Sequence, residues 1–184
     1  MLMRYADHFA HGYGIVWNIG EHPVDGATDF LFMVCSAALI KLGIPVGRSV
    51  RSIAFVSQIL TVLMVYWVNR RIWKANIFLA FICGLYLAVG TGFAYVAAFF
   101  GTPFFAFFAS LTLFFAIFLI QKQNPPIGSS ILFALSGLLT GLIRPEGVII
   151  AGGLLVSIII MKGWRASLNT IVIFTSVFFV LGGI

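Results

Sequence analysis

Four of the chain's five acidic residues (Asp7, Glu21, Asp25 and Asp29) lie within residues 4–30, RYADHFAHGYGIVWNIGEHPVDGATDF, together with all three histidines, His8, His11 and His22. A carboxylate held beside a reacting hydroxyl can take its proton as general base. Asp7 and Glu21 are the candidates for that work. Each acid also has a plainer reading. Asp7 falls in RYADHFAHG, an expected amphipathic helix, where it is solvated or pairs with Arg4 at i, i+3. Glu21 and Asp25 flank Pro23 as turn residues, and Asp29, next to Thr28, caps the helix that follows. His8 and His11 have the i, i+3 spacing that puts two imidazoles on one helix face, but with one nearby acid they fall short of a zinc ligand set. No cofactor is expected, although a divalent metal is not excluded. The glycines at 12, 14, 20 and 26 permit tight turns and do not form a dinucleotide-binding fingerprint.

The cations complement the acids. Arg4, Arg144 and one of Arg48 and Arg51 can contact phosphate, which a guanidinium grips in bidentate fashion. Arg144 belongs to the link Arg144-Pro145-Glu146-Gly147, which holds the fifth acid between two apolar runs. An ionisable residue at membrane depth is a functional candidate by default. The competing reading is that Arg144 and Glu146 satisfy each other or the adjoining helix ends. Pro145 lacks an N–H and pushes Arg144 out of helical geometry, so a chain break is expected here. If the break lines a wet cavity, Arg144 contacts an anion there or an N-terminal carboxylate, and Glu146 orients Arg144 or caps the next helix.

These residues sit in an apolar chain. Of 184 residues, 61% are hydrophobic and 9% charged, with mean hydropathy +1.11. Soluble domains carry about 25% charged residues, so an all-α, polytopic helical membrane protein is expected. A membrane β-barrel is excluded because its strands alternate apolar and polar residues and these runs do not. The formal charge of +6 reads as loop Lys and Arg that set orientation, not as a nucleic-acid surface. Cys35 and Cys83 lie within apolar runs and read as free buried thiols.

Apolar runs fall at about 28–44, 52–68, 76–93, 103–120, 128–143, 147–161 and 167–184. Crossing a bilayer takes about 20 residues, so short or tilted helices are expected, with about six of them spanning. The links at 69–75, 121–126 and 162–166 carry Lys and Arg and no acid; those at 94–102 and 144–147 carry no net charge. Their alternation puts the first three in the cytoplasm and the other two outside. The run at 28–44 contains Lys41 and precedes Arg48 and Arg51. It reads as an interfacial or re-entrant helix at the outer surface, which makes residues 1–51 an extracytoplasmic loop with juxtamembrane helices and 52–184 the transmembrane bundle.

Three features, in order, resemble the polyprenyl-phosphate-sugar-dependent glycosyltransferases of the GT-C superfamily, most nearly the arabinofuranosyltransferase-like and mannosyltransferase-like groups. Arg4, Tyr5, Ala6, Asp7, Ala10, Gly12, Gly14, Asn18, Gly20, Glu21, Gly26 and Thr28 fit a stretch R-Y-A-(D/N)-x-x-A-x-G-x-G-x-x-x-N-x-G-E followed by G-x-T. FFGTPFFAFF resembles the family's G-(M/L)-E-T-P-L-F outer loop, and LLTGLIRPEGVII its L-T-R-P-E-G link. The resemblance covers essentially the whole chain and the N-terminal part of the family's length. It implies a GT-C-like fold in a bacterial inner membrane. It also implies transfer of a sugar from a polyprenyl-phosphate donor to a glycan or lipid acceptor outside the cytoplasm. Membrane lipid, donor and acceptor are then the partners, with no nucleic acid. Asp7 and Glu21 would be catalytic, and Arg4, Tyr5, Arg144 and Glu146 would bind substrate. The family's first helix and following acidic pair are absent before Arg4, Gly101 stands where the loop motif has Glu, and the last apolar run has no polar stop. A chain truncated at both ends, inactive in isolation, is therefore expected. A transporter fragment or a non-catalytic membrane subunit is the alternative; a transporter would be expected to bury more polar residues mid-helix than Ser57, Gln58, Thr61, Ser110 and Thr112.

Overall fold

The computed structural model describes residues 1–22 and 29–183, and these form helices joined by turns and short links, without strands. Asp25, Gly26 and Thr28 of the N-terminal motif lie outside the described residues. The helices are α1 (Leu2–Ala10), α2 (Phe30–Lys41), α3 (Val46–Arg71), α4 (Ile77–Val89), α5 (Thr91–Ala97), α6 (Thr102–Gln121), α7 (Ile127–Ile143), α8 (Glu146–Lys162) and α9 (Trp164–Gly182). Among the described residues, four segments are long and apolar enough to cross a membrane: Val46–Arg71, Ile77–Ala97, Thr102–Gln121 and Trp164–Gly182. The chain divides into two compact units, Met1–Phe107 and Phe108–Ile184. The boundary expected at 51/52 falls inside α3, because Arg48 and Arg51 belong to the helix instead of preceding it. Arginine is a good helix former whose stem packs along apolar surface while its head reaches water.

In the first unit, α1 is the amphipathic helix. Tyr5 and Ala6 are buried on Met33 and Ala37 of α2, with Leu2, Ile15 and Trp17 packed around them. Arg4, Asp7 and His8 remain at least partly exposed. The helix closes in a Schellman turn: Tyr13 N–H donates to the His8 carbonyl at 3.0 Å and Gly12 N–H to Phe9 at 3.2 Å. Gly12 has φ +84°, a conformation glycine adopts without strain. By contrast, α2 is apolar on every side but for Ser36 and Lys41. Its 12 residues extend about 18 Å, well short of a ~30 Å hydrocarbon core. Such a helix suits burial beneath α1 better than a water interface of its own.

One end of this unit gathers the N-terminal segment, the start of α3 and the link after α5. Asp29, at the start of α2, has its carboxylate against Gly101. Phe99 lies beside Gly47 and beneath Arg51. Both ends of α2 therefore lie at the end where α3 begins, and α2 does not cross. Arg70 and Arg71 mark the opposite end of α3. The apolar run at 76–93 is interrupted at Gly90, where the chain turns extended between α4 and α5.

In the second unit, α7 packs on α8 and on α9 through small and hydroxylated residues that include Ser130 and Gly137, while its Thr140 meets Thr112 of α6. Ser130 and Thr170 hydroxyls meet at 2.9 Å and Thr112 and Thr140 at 3.2 Å, the close approach and hydrogen bonding that join helices in lipid. Phe174 stacks on Phe178 with centroids 4.3 Å apart. Lys162 Nζ donates to the Lys122 carbonyl at 2.8 Å, so the links before α7 and after α8 share one end, and residues 144–147 lie at the other.

Candidate functional site

The polar face of α1 and the loop after it form a connected set. Arg4 Nη2 donates to Asn18 Oδ1 at 2.9 Å, and Asn18 Nδ2 donates to Glu21 Oε1 at 2.9 Å. The Arg4 guanidinium also lies over the Trp17 ring, 4.6 Å from its centroid. Asn18 thus uses both ends of its amide to hold a cation and a carboxylate in fixed relation. Glu21 is exposed, and its carboxylate retains acceptor capacity beyond the Asn18 bond. Arg4 is likewise exposed, with guanidinium donors to spare for an anion.

Asp7 does not pair with Arg4 as the i, i+3 spacing suggests. Its partner is His11, one turn on, with Nδ1 3.4 Å from Oδ1. Arg4 is instead drawn to Asn18 by the returning loop, which brings a neutral acceptor to 2.9 Å. The His11 Nδ1–H also donates to the Asp7 carbonyl at 2.8 Å, and His8 Nδ1–H donates to the Val16 carbonyl at 3.0 Å. Because a carbonyl only accepts, each neutral ring carries its proton on Nδ1 and presents an Nε2 lone pair. Among the described residues, no cluster of three His, Cys, Asp or Glu side chains converges as a metal site.

Tyr5 is 3% exposed and lies 5.7 Å from the Trp17 ring. Its place is in the packing of α1 on α2 and not on a surface a substrate touches. Asp29 occupies the N-cap position of α2, but its side chain makes no capping bond to that helix, which corrects the capping expectation. It is 6% exposed, with its carboxylate in the space where a side chain at residue 101 would stand. A carboxylate therefore faces Thr102-Pro103 from Asp29, although residue 101 is glycine. The type and position of these residues were legible in the sequence; the Arg4–Asn18–Glu21 chain and the Asp29–Gly101 approach were not, since each depends on how the loop returns.

In the second unit, the chain breaks at Arg144 as its place before Pro145 requires: Arg144 is extended, at φ −143° and ψ 140°. Glu146 opens α8, where its charge complements the helix dipole. Glu146 is exposed and stands in the first turn of α8. Gly147 is fixed by close approach, since a Cβ there would run into the Thr140 carbonyl and the Gly141 amide.

Against family models, curated proteins and solved structures, the chain finds no match.

Proposed function

We propose that this membrane protein acts in transfer of a sugar from a polyprenyl-phosphate donor to a glycan or lipid acceptor outside the cytoplasm, in the manner of the GT-C glycosyltransferases its motifs resemble, and within a bacterial inner membrane that builds cell-envelope glycans. The observation that carries the reading is the Arg4–Asn18–Glu21 chain, which presents a cation and an oriented carboxylate together. In the reaction, the acceptor hydroxyl oxygen attacks the anomeric carbon, the bond from that carbon to the phosphate oxygen breaks, and its electron pair leaves with the polyprenyl phosphate. Glu21 receives the hydroxyl proton, Arg4 stabilises the negative charge on the departing phosphate, and Asp7 is the second candidate base. Asp29 beside Gly101 supports the same reading, because it supplies a carboxylate where the resembled loop motif carries Glu.

The test is transfer from labelled polyprenyl-phosphate hexose and pentose donors in membrane vesicles from source cells with the gene intact and source cells with it deleted, so that any sequence flanking this chain is kept. Proton abstraction by a positioned base contributes about 10²- to 10⁴-fold, so Glu21→Gln should cut transfer by at least about a hundredfold while the protein accumulates normally. Equal transfer in both vesicle types, or full activity with Glu21→Gln and Asp7→Asn combined, overturns the proposal.

A further inference from the structure

We propose that the groove between α3 and α5 binds the phosphate group of a membrane lipid, with Arg48 and Arg51 on the phosphate and Phe55, Phe93 and Val96 along its hydrocarbon chain. The groove encloses about 510 Å³, within the ordinary range for small-ligand sites. Its α3 wall is a single helical stripe, Arg48, Arg51, Ser52 and Phe55, at i, i+3, i+4 and i+7. Its α5 wall is Phe93, Val96 and Ala97, the matching i, i+3, i+4 stripe of a facing helix. The polar end is thus formed by two guanidiniums and a hydroxyl, and the rest is apolar. Phe55 and Phe93 are 50% and 60% exposed, so the apolar end lies open at the side of the helices, where lipid chains run.

Nothing in the fold uses the two arginines as helix-stabilising charges. They sit in the first two turns of α3, where the positive end of the helix dipole repels cations and attracts anions. No carboxylate among the described residues pairs with either. Arg51 instead lies 4.5 Å over the Phe99 ring, which supports one face of the guanidinium and leaves its N–H edge available. Phe99 is held at φ +62°, a left-handed conformation costly for an aromatic residue. The position is the left-handed residue of the turn that closes α5, where Phe100 N–H donates to the Tyr95 carbonyl at 3.0 Å, and that turn places the ring under Arg51.

Depth agrees with the chemistry. From Arg51 to Arg70, α3 rises about 28 Å at 1.5 Å per residue, close to the ~30 Å thickness of a hydrocarbon core. With Arg70 and Arg71 at one headgroup level, Arg51 lies at the other, beside lipid phosphates. The inference stands apart from the sugar-transfer reading, because any lipid phosphate meets these demands.

The test is native mass spectrometry of the delipidated full chain in detergent, titrated with phosphatidylglycerol, polyprenyl phosphate or phosphatidylcholine. Each Arg near an anionic lipid contributes roughly a fivefold gain in binding, so single adducts of an anionic lipid should form at least about tenfold more readily than those of phosphatidylcholine. Arg48→Gln/Arg51→Gln should abolish the preference, while Arg70→Gln/Arg71→Gln at the opposite end should keep it. A preference for polyprenyl phosphate over phosphatidylglycerol identifies the bound lipid as an isoprenoid carrier; equal binding identifies it as ordinary anionic phospholipid. Should the groove variant fail to fold, direct competition between phosphatidylglycerol and phosphatidylcholine on the unmodified protein decides. Equal retention of the two lipids, a preference that survives in the groove variant, or full displacement by soluble glycerol phosphate at equal concentration overturns the proposal.

Discussion

Replacing Gly92 with alanine should destabilise the protein, and the same replacement should be harmless once Gln58 is also alanine. Gln58 lies within the apolar span of α3, and its Nε2 donates to the Leu87 carbonyl at 2.7 Å, in the last turn of α4 just before the chain turns at Gly90. A Cβ on Gly92 would overlap the Gln58 amide. The glutamine end is flexible and swings aside, so the cost is the hydrogen bond and not a rigid clash. A side-chain bond between membrane helices averages about 0.6 kcal/mol and reaches about 1.7 kcal/mol, while a stranded buried carbonyl costs about 1–3 kcal/mol. Alanine returns at most about 1 kcal/mol of helix propensity, and less in the first turn of α5, where Gly92 lies. Gly92→Ala should therefore cost about 0.5–1.5 kcal/mol in the native background and nothing, or a slight stabilisation, in Gln58→Ala, a coupling of about 0.5–2 kcal/mol. The four proteins of the cycle can be compared by reversible unfolding in mixed micelles with rising SDS, followed by tryptophan fluorescence. The same cost in both backgrounds would refute the reasoning, because the substitution would then be acting through something other than the Gln58–Leu87 bond.

Gly147→Ala drives a Cβ into backbone atoms of Thr140 and Gly141; it should exceed the usual overpacking cost of about 1–3 kcal/mol and lower protein abundance, and normal abundance contradicts that close approach. Burial raises the Cys35 thiol above its ordinary 9.0, so in a Cys83→Ser background maleimide should modify it more slowly than free glutathione at neutral pH and faster as pH rises, since the thiolate reacts; a rate equal to glutathione's refutes this. Single cysteines replacing Ile19 and Ala98 should react with an impermeant thiol reagent from one side of the membrane and one replacing Trp73 from the other. In the second unit, Gln123→Cys and Arg165→Cys should label together and opposite to Glu146→Cys; any mixed pattern overturns the assignment of links to ends.

The breaks made by proline were readable from residue types alone. Pro126 and Pro145 precede α7 and α8, and a residue before proline is sterically driven out of the helix, which is what Arg144 does. The turn at Gly90 was hidden, because the run around it is apolar on both sides and one glycine is tolerated in a helix. The start of α3 was misplaced for a related reason: Arg48 and Arg51 interrupt a hydropathy profile without interrupting a helix. For the candidate site, composition identified the polar segment and Glu21, but contacts such as Arg4 with Asn18 or Asp29 with Gly101 arise from tertiary return of the chain. Tyr5 shows the opposite failure, a motif residue with functional chemistry that the fold spends on packing.

The seventeen residues of α7 and of α8 correspond to about 26 Å each, less than an average bilayer's hydrocarbon thickness of about 30 Å. The backbone approach at Gly147 holds the start of one helix against the end of the other, and lipid thinning is one way for a bilayer to accommodate a short helix pair. Local thinning costs a fraction of a kcal/mol per Å of mismatch, enough to sort proteins between membranes. Where both helices cross the bilayer, the second unit should therefore draw the two headgroup layers closer together around it. In short-chain lipid that thinning vanishes and so does its cost, and within one cell the protein should concentrate wherever the bilayer is thinnest.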